Sequence, residues 1–116
     1  MQIYHNPRCS KSRQTLELLH TKGLEPEIVL YLENSPSKKL LKDILKKLGI
    51  KAEQLVRKSE AIFKENYKGK TLTENQWIEA LVKHPKLIER PIVINGKKAT
   101  IGRPPEKVLE LSLIHI

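Results

Sequence analysis

A single cysteine, Cys9, stands in the run HNPRCSKSR. The run follows an apolar start, MQIYH, that reads as a short strand ended by Asn6-Pro7, and it precedes a helical pattern beginning at Ser12. Cys9 therefore belongs on a loop that leads into a helix. Amide N–H groups at a helix N-terminus point outward, and the dipole there favours negative charge. A thiol so placed ionises below the ~8.5 of a free cysteine. Arg8, Lys11 and Arg13 add positive charge nearby, and His5 adds a group that can help as a cation or as a hydrogen-bond donor. A lone cysteine is most often a buried structural thiol. The polar, cationic setting favours a reactive thiolate here.

Two familiar uses of such a loop fail on spacing. A tyrosine-phosphatase loop needs Arg six residues after the cysteine, where this chain has Thr15, and a thioredoxin loop needs a second cysteine three residues on, where it has Ser12. C-x-x-S keeps the attacking sulfur and lacks the resolving one, as in a monothiol enzyme served by an external thiol. With one cysteine there is no intramolecular disulfide and no zinc site built on Cys pairs. No metal and no bound cofactor are expected.

A second cluster lies at Arg90 and Arg103. Ile92-Val93-Ile94, Asn95-Gly96 and an Ala99/Ile101 alternation predict a hairpin with a two-residue Asn-Gly turn. That turn pairs residue 94 with 97 and sets Arg90 opposite Ile101, so Arg90 and Arg103 lie near each other at the open end. Each precedes a proline, which holds it extended, and Pro91 is a candidate cis residue. Adjacent guanidinium groups repel unless an anion lies between them, and their forks suit oxyanions. The alternative is neutralisation by Glu89 and Glu106.

The elements that must position these groups follow from periodicity. Residues 28–32 (IVLYL) predict a strand covered on both faces, and with the first strand and helix they form a βαβ unit. Gly23 is the expected cap of that first helix. Ser35-Pro36 opens the next helix, with Leu41, Ile44, Leu45 and Leu48 on one face, Gly49 at its end and a stripe of Lys38, Lys42 and Lys46 that reads as a solvated face. Residues 52–66 predict one or two short helices, and Thr73 caps a helix carrying a core Trp77 toward Pro85. Pro104-Pro105 opens a last helix through Leu111. His20, His84 and His115 read as solvated or without a role. The order βαβ, helices, ββα predicts a two-layer α/β domain with a mixed four-stranded sheet. We expect one domain over residues 1–116, with an inserted helical part at about 36–86.

The 22 Lys+Arg against 13 Asp+Glu leave a net charge of +9, which suits an anionic partner. Nucleic acid ranks last among such partners, because one Phe, one Trp and three Tyr supply few stacking platforms. No apolar run approaches the 18 or so residues of a membrane span, and MQIYHNPR lacks the pattern of a signal peptide, so no membrane partner and a cytoplasmic location are expected.

Together HNPRCSKSR, LVRKSE (55–60), LIERPIVI (87–94) and IGRPPEKVLEL (101–111) resemble the ArsC family of arsenate reductases, of the glutathione- and glutaredoxin-coupled type and closest to its small YfgD-like members. The resemblance runs from residue 1 to about 112. It implies a thioredoxin-like fold with an inserted helical part. It implies that Cys9 attacks arsenate, that glutathione then drives reduction to arsenite, and that glutaredoxin resolves the mixed disulfide. Arg57, Arg90 and Arg103 match the family's oxyanion-binding arginines, His5 the residue that favours the thiolate, and Ser12 a hydroxyl of the active loop; Arg90-Pro91 matches a cis peptide beside the site. The chain lacks the C-terminal extension of longer members. Two other readings share the fold: a monothiol glutathione-dependent oxidoreductase, and a regulator of the Spx type that binds RNA polymerase. Three arginines favour an oxyanion over the first, and Ser12 in place of a second cysteine disfavours the disulfide switch of the second.

Overall fold

The computed structural model describes residues 1–109; the segment LSLIHI, with His115, and the end of the expected last helix lie outside them. These residues divide into two compact units, one formed by Met1–Tyr31 and the chain from Arg90 onward, the other by Leu32–Glu89. Among the described residues no helix is long and apolar enough to cross a membrane.

The first unit is built on strands β1 (Gln2–Tyr4), β2 (Glu27–Val29), β3 (Ile92–Asn95) and β4 (Lys98–Ile101), with helix α1 (Ser10–Thr21) between the first two. The strands form one mixed sheet in the order β2-β1-β3-β4, with β1 and β2 parallel and the other pairs antiparallel. Ile3 of β1, Leu19 of α1, Val93 of β3 and Val108 of a 3₁₀ turn (Pro105–Val108) are fully buried together, and Met1, Leu16, Leu18 and Leu24 pack on them. Ile3 and Val93 are register partners on adjacent strands, so α1 and the 3₁₀ turn cover the same face.

Helix α1 starts at Ser10, one half-turn before the expected Ser12. Its C-terminus is closed at Gly23 (φ +78°), whose N–H donates to the His20 carbonyl while Leu24 N–H donates to that of Leu19. This six-to-one and five-to-two pairing needs the left-handed residue that glycine supplies.

The apolar run 28–32 does not form the doubly covered strand that its composition suggests. β2 is only three residues long and is an edge strand; Ile28 is 47% exposed. The chain turns at Tyr31, which is fully buried from the turn and not from the sheet. Apolar content thus reports burial of one residue beyond the strand, not of both strand faces.

The hairpin is also one step away from expectation. Asn95 pairs with Lys98 and Ile92 with Ile101, so the turn is Gly96-Lys97. Gly96 has φ +64°, and among the described residues no non-glycine residue has a positive φ. An Asn-Gly turn of the commonest hairpin type needs two left-handed residues; a single left-handed glycine at the first central position meets the geometry with one. The shift matters for the site, as shown below.

The second unit contains α2 (Lys38–Leu48), α3 (Ala52–Leu55), α4 (Ala61–Asn66), α5 (Glu74–Lys83) and a 3₁₀ turn at Pro85–Leu87. Helix α2 begins after Ser37, whose side chain accepts from Leu40 N–H, and not at Ser35-Pro36; the Ser35 hydroxyl instead donates to the Val82 carbonyl. Leu41, Ile44 and Leu45 of α2 and Trp77, Ile78 and Leu81 of α5 are buried. Thr73 and Gln76 form a capping box at the start of α5. Lys38, Lys42 and Lys46 are exposed, and Lys38 reaches Glu79 at 3.3 Å. His84 is half-buried, edge-on to Tyr67, where solvation was expected. A single antiparallel bridge, Val56 to Ile88, ties α3 to the end of the unit; Arg57 N–H donates to the Leu87 carbonyl at 2.7 Å and Glu89 N–H to that of Leu55 at 2.8 Å.

The core of the sheet unit is formed by a few fully buried side chains, Leu19 among them. Replacing Leu19 by Ala is expected to destabilise the protein by about 2–5 kcal/mol, read from urea denaturation curves with an unchanged slope. A loss below about 1 kcal/mol would place Leu19 outside the core.

Candidate active site

Cys9 is the N-cap residue of α1, with extended backbone (φ −95°, ψ 122°). The loop before it is tied at several points. Asn6 accepts from Cys9 N–H through its carbonyl and from Arg8 N–H through Oδ1, both at 3.0 Å. Asn6 N–H donates to Ser12 Oγ at 3.0 Å, and Arg13 Nη1 donates to the Pro7 carbonyl at 2.8 Å. Asn6 is the organiser that the sequence reading passed over; an Asn just before a helix that can accept from the backbone two residues on was its signal.

The sulfur closes no cap bond of full hydrogen-bond geometry, yet the amides of Ser12 and Lys11 lie close enough for their N–H dipoles to favour a negative sulfur. Arg103 Nη2 lies 3.7 Å from Cys9 Sγ. Burial is the largest influence on this thiol and pushes its pKa up. The Ser12 amide, the Arg90 charge, the Lys11 amide and the Arg103 charge oppose it, and together they leave the thiol below its ordinary value.

His5 is buried, and its Nδ1 lies 2.6 Å from Ser12 Oγ; which of the two donates follows the ring tautomer. Burial, then the Arg13 charge, lower its pKa below the usual histidine range. The ring is therefore harder to charge than an ordinary histidine, which favours the hydrogen-bonding role expected for His5 over the cationic one. It braces Ser12, whose amide faces the sulfur.

The hairpin register supplies the arginines. Continuing the pairing of Ile92 with Ile101 by two residues sets Arg90 directly opposite Arg103 and not opposite Ile101. Gly102 N–H donates to the Pro91 carbonyl at 2.9 Å, and Arg103 Nε donates to the Arg90 carbonyl at 2.7 Å. The second bond fixes the Arg103 fork toward Cys9. Arg90-Pro91 is cis, as is Arg103-Pro104. Arg90 Nε and Nη1 are buried without a partner among the described residues. Unsatisfied N–H groups of a buried cation are costly, and an oxyanion beside the sulfur would satisfy them.

Arg57 lies in the helical unit. Its Nη1 is 2.8 Å from Glu60 and its Nε 3.6 Å from Glu89, so two carboxylates offset its charge. Glu89, one of the two groups weighed as neutralising Arg90, faces Arg57. The sheet unit alone thus brings together Cys9, His5, Ser12, Arg90 and Arg103.

The model of the ArsC family matches residues 4–111. The chain is 54% identical to the uncharacterized protein YfgD of Escherichia coli, covering 96% of this chain and 95% of that one. It is 51% identical to an arsenate reductase of Haemophilus influenzae, covering 94% and 96%. Among solved structures, an arsenate reductase from Vibrio cholerae superposes with a TM-score of 0.91 at 47% identity over 94% of each chain. The fold is the thioredoxin-like one of these proteins.

The depressed thiol pKa has a definite sign. A thiol with a lowered pKa is ionised at a lower pH, so the rate of Cys9 alkylation by iodoacetamide is expected to rise with a midpoint below the ~8.5 of a free cysteine. Arsenate or sulfate is expected to slow alkylation at pH 7, and Arg90→Ala or Arg103→Ala to remove that protection. A midpoint at or above the free-thiol value would contradict the assignment of the charges.

Proposed function

The chain belongs to the ArsC family, and from that premise we propose that it is an arsenate reductase whose nucleophile is Cys9, with glutathione as co-substrate and glutaredoxin as the protein that renews the thiol. The observation that carries the reading is the placement of a sulfur, primed to ionise, 3.7 Å from Arg103 and near Arg90, whose buried Nε and Nη1 have no hydrogen-bond partner among the described residues. A single thiolate beside two fixed cations suits an electrophile that is itself an anion.

The Cys9 thiolate attacks arsenic. An S–As bond forms, an As–O bond breaks, and the departing oxygen leaves as water after taking up protons from solvent. Arg90 and Arg103 hold the remaining oxygens and offset the charge that collects on them in the transition state. Glutathione thiolate then attacks the Cys9 sulfur. An S–S bond forms, the S–As bond breaks, and arsenic keeps the electron pair. Arsenic(V) is reduced to arsenite while the two thiols are oxidised to a mixed disulfide. The dithiol of glutaredoxin takes the glutathione and returns Cys9 to the thiol. The C-x-x-S loop has no second sulfur of its own, which supports an external reductant.

Ser12 and His5 act on the loop: the hydrogen-bonded pair holds the first turn of α1 so that its amides face the sulfur.

The test is NADPH oxidation in the presence of arsenate, glutathione, glutaredoxin and glutathione reductase. Arsenate-dependent turnover is expected, with Cys9→Ser abolishing it. Arg90→Ala and Arg103→Ala are each expected to lower kcat/KM by about 10²–10³-fold. Turnover of glutathionylated substrates at equal rate with and without arsenate would replace this reading with that of a general monothiol oxidoreductase.

A further inference from the structure

Arg103 and Cys9 are 94 residues apart in the chain, and the distance between their side chains is set by how closely α1 approaches the end of β4. One close contact in that approach is between Thr15 and Gly102. Thr15, on the second turn of α1, is fully buried. Its hydroxyl donates to the Lys11 carbonyl at 2.8 Å and lies 3.5 Å from the Gly102 carbonyl oxygen. Opposite it is Gly102, immediately before Arg103. A Cβ on Gly102 would fall 2.6 Å from Thr15 Oγ1, 3.0 Å from Thr15 Cγ2 and 2.9 Å from Pro91 Cγ. Real Cβ atoms do not come that close. Glycine is required here for close approach, and φ is not the reason: Gly102 is not among the left-handed glycines.

The two residues also lead directly to the groups that charge the site. Thr15 bonds the carbonyl of Lys11, whose amide faces the sulfur from the same turn. Gly102 N–H donates to the Pro91 carbonyl, and Arg103 Nε donates to the carbonyl of Arg90, so the ends of the hairpin move as one piece. A spacer inserted between Thr15 and Gly102 pushes the whole arginine pair away from the N-terminus of α1.

We propose that Thr15 and Gly102 are positioning residues that set the reach of Arg103 to the Cys9 sulfur, with the missing Cβ of Gly102 as the gauge. The inference rests on the reading of Cys9 as the nucleophile, but its test needs no arsenate.

The experiment measures the pH profile of Cys9 alkylation by iodoacetamide, with circular dichroism as the control for folding. Arg103→Ala is expected to slow alkylation at pH 7 about tenfold, the effect of losing one nearby cation. Gly102→Ala is expected to slow it about threefold or more by the same route. Thr15→Ala added to Gly102→Ala removes two of the three close contacts and is expected to bring the rate back toward that of the native protein. In the Arg103→Ala background Gly102→Ala is expected to have no further effect, because the cation it displaces is gone. A folded Gly102→Ala protein with the native profile would overturn the proposal. So would an unchanged extra slowing in the Arg103→Ala background. If Gly102→Ala alone does not fold, the double variant still decides: a profile matching Arg103→Ala, with no recovery, counts against the gauge. Loss of arsenate turnover with the alkylation pattern as expected would leave the gauge standing and remove only the substrate.

Discussion

A thiol taken out of water resists ionisation, and at Cys9 that resistance is the largest force acting on the group. The sheet unit is arranged to overcome it. The sulfur is placed at the N-cap of α1, where two main-chain amides face it, and the hairpin brings two guanidinium groups to the same point. No one of these contributions outweighs burial, so the site depends on their convergence. Convergence in turn depends on β1 and β3 being neighbours, because β1 leads into the cysteine loop and Arg90 lies two residues before β3.

Part of this arrangement was legible in the sequence. Cys9 before a helix and the hairpin between two Arg-Pro pairs were visible, since each is local and has a known conformational cause; the charges that act on the sulfur, however, are those of Arg90 and Arg103 and not those of Arg8, Lys11 and Arg13 expected from nearness in sequence. The order βαβ, helices, ββα was visible for the same reason, while its thioredoxin-like character was implied by the family resemblance. The register of the hairpin was not. Asn-Gly is the strongest short signal for a two-residue turn, yet here Asn95 is a paired strand residue and the turn is Gly96-Lys97. One left-handed residue sufficed, and which of two adjacent residues stays in the ladder is decided by the pairing of β3 with β1 and β4. The correction strengthens the site, since it sets Arg90 and Arg103 face to face.

Other features were hidden because they are contacts between distant parts of the chain. The run IVLYL carries the composition of a central strand, but its burial comes from Tyr31 in the turn, and β2 is an edge. Gly102 looks from the sequence like any glycine before Arg-Pro; only its closeness to Thr15 shows why no side chain fits. Arg57 could be picked out through a family motif and not through spacing. Its two carboxylate partners come from Glu60, three residues on, and from Glu89 across the Val56–Ile88 bridge. A pairing made through a one-residue bridge leaves no periodic trace.

The lowered pKa of His5 has a consequence for how the site behaves with pH. A histidine lends positive charge to a thiolate only while it is protonated, and at His5 burial and the Arg13 charge both work against protonation. Arginine does not titrate in this range. With His5 made harder to charge by burial and by Arg13, and with Arg90 and Arg103 as fixed cations, the attraction for an anion persists while the thiol becomes a thiolate. A nucleophile that is negative and an electrophile that is negative repel each other. Two guanidinium groups against one sulfur leave the pocket positive after the thiolate has formed, which is the condition under which both anions can be held together.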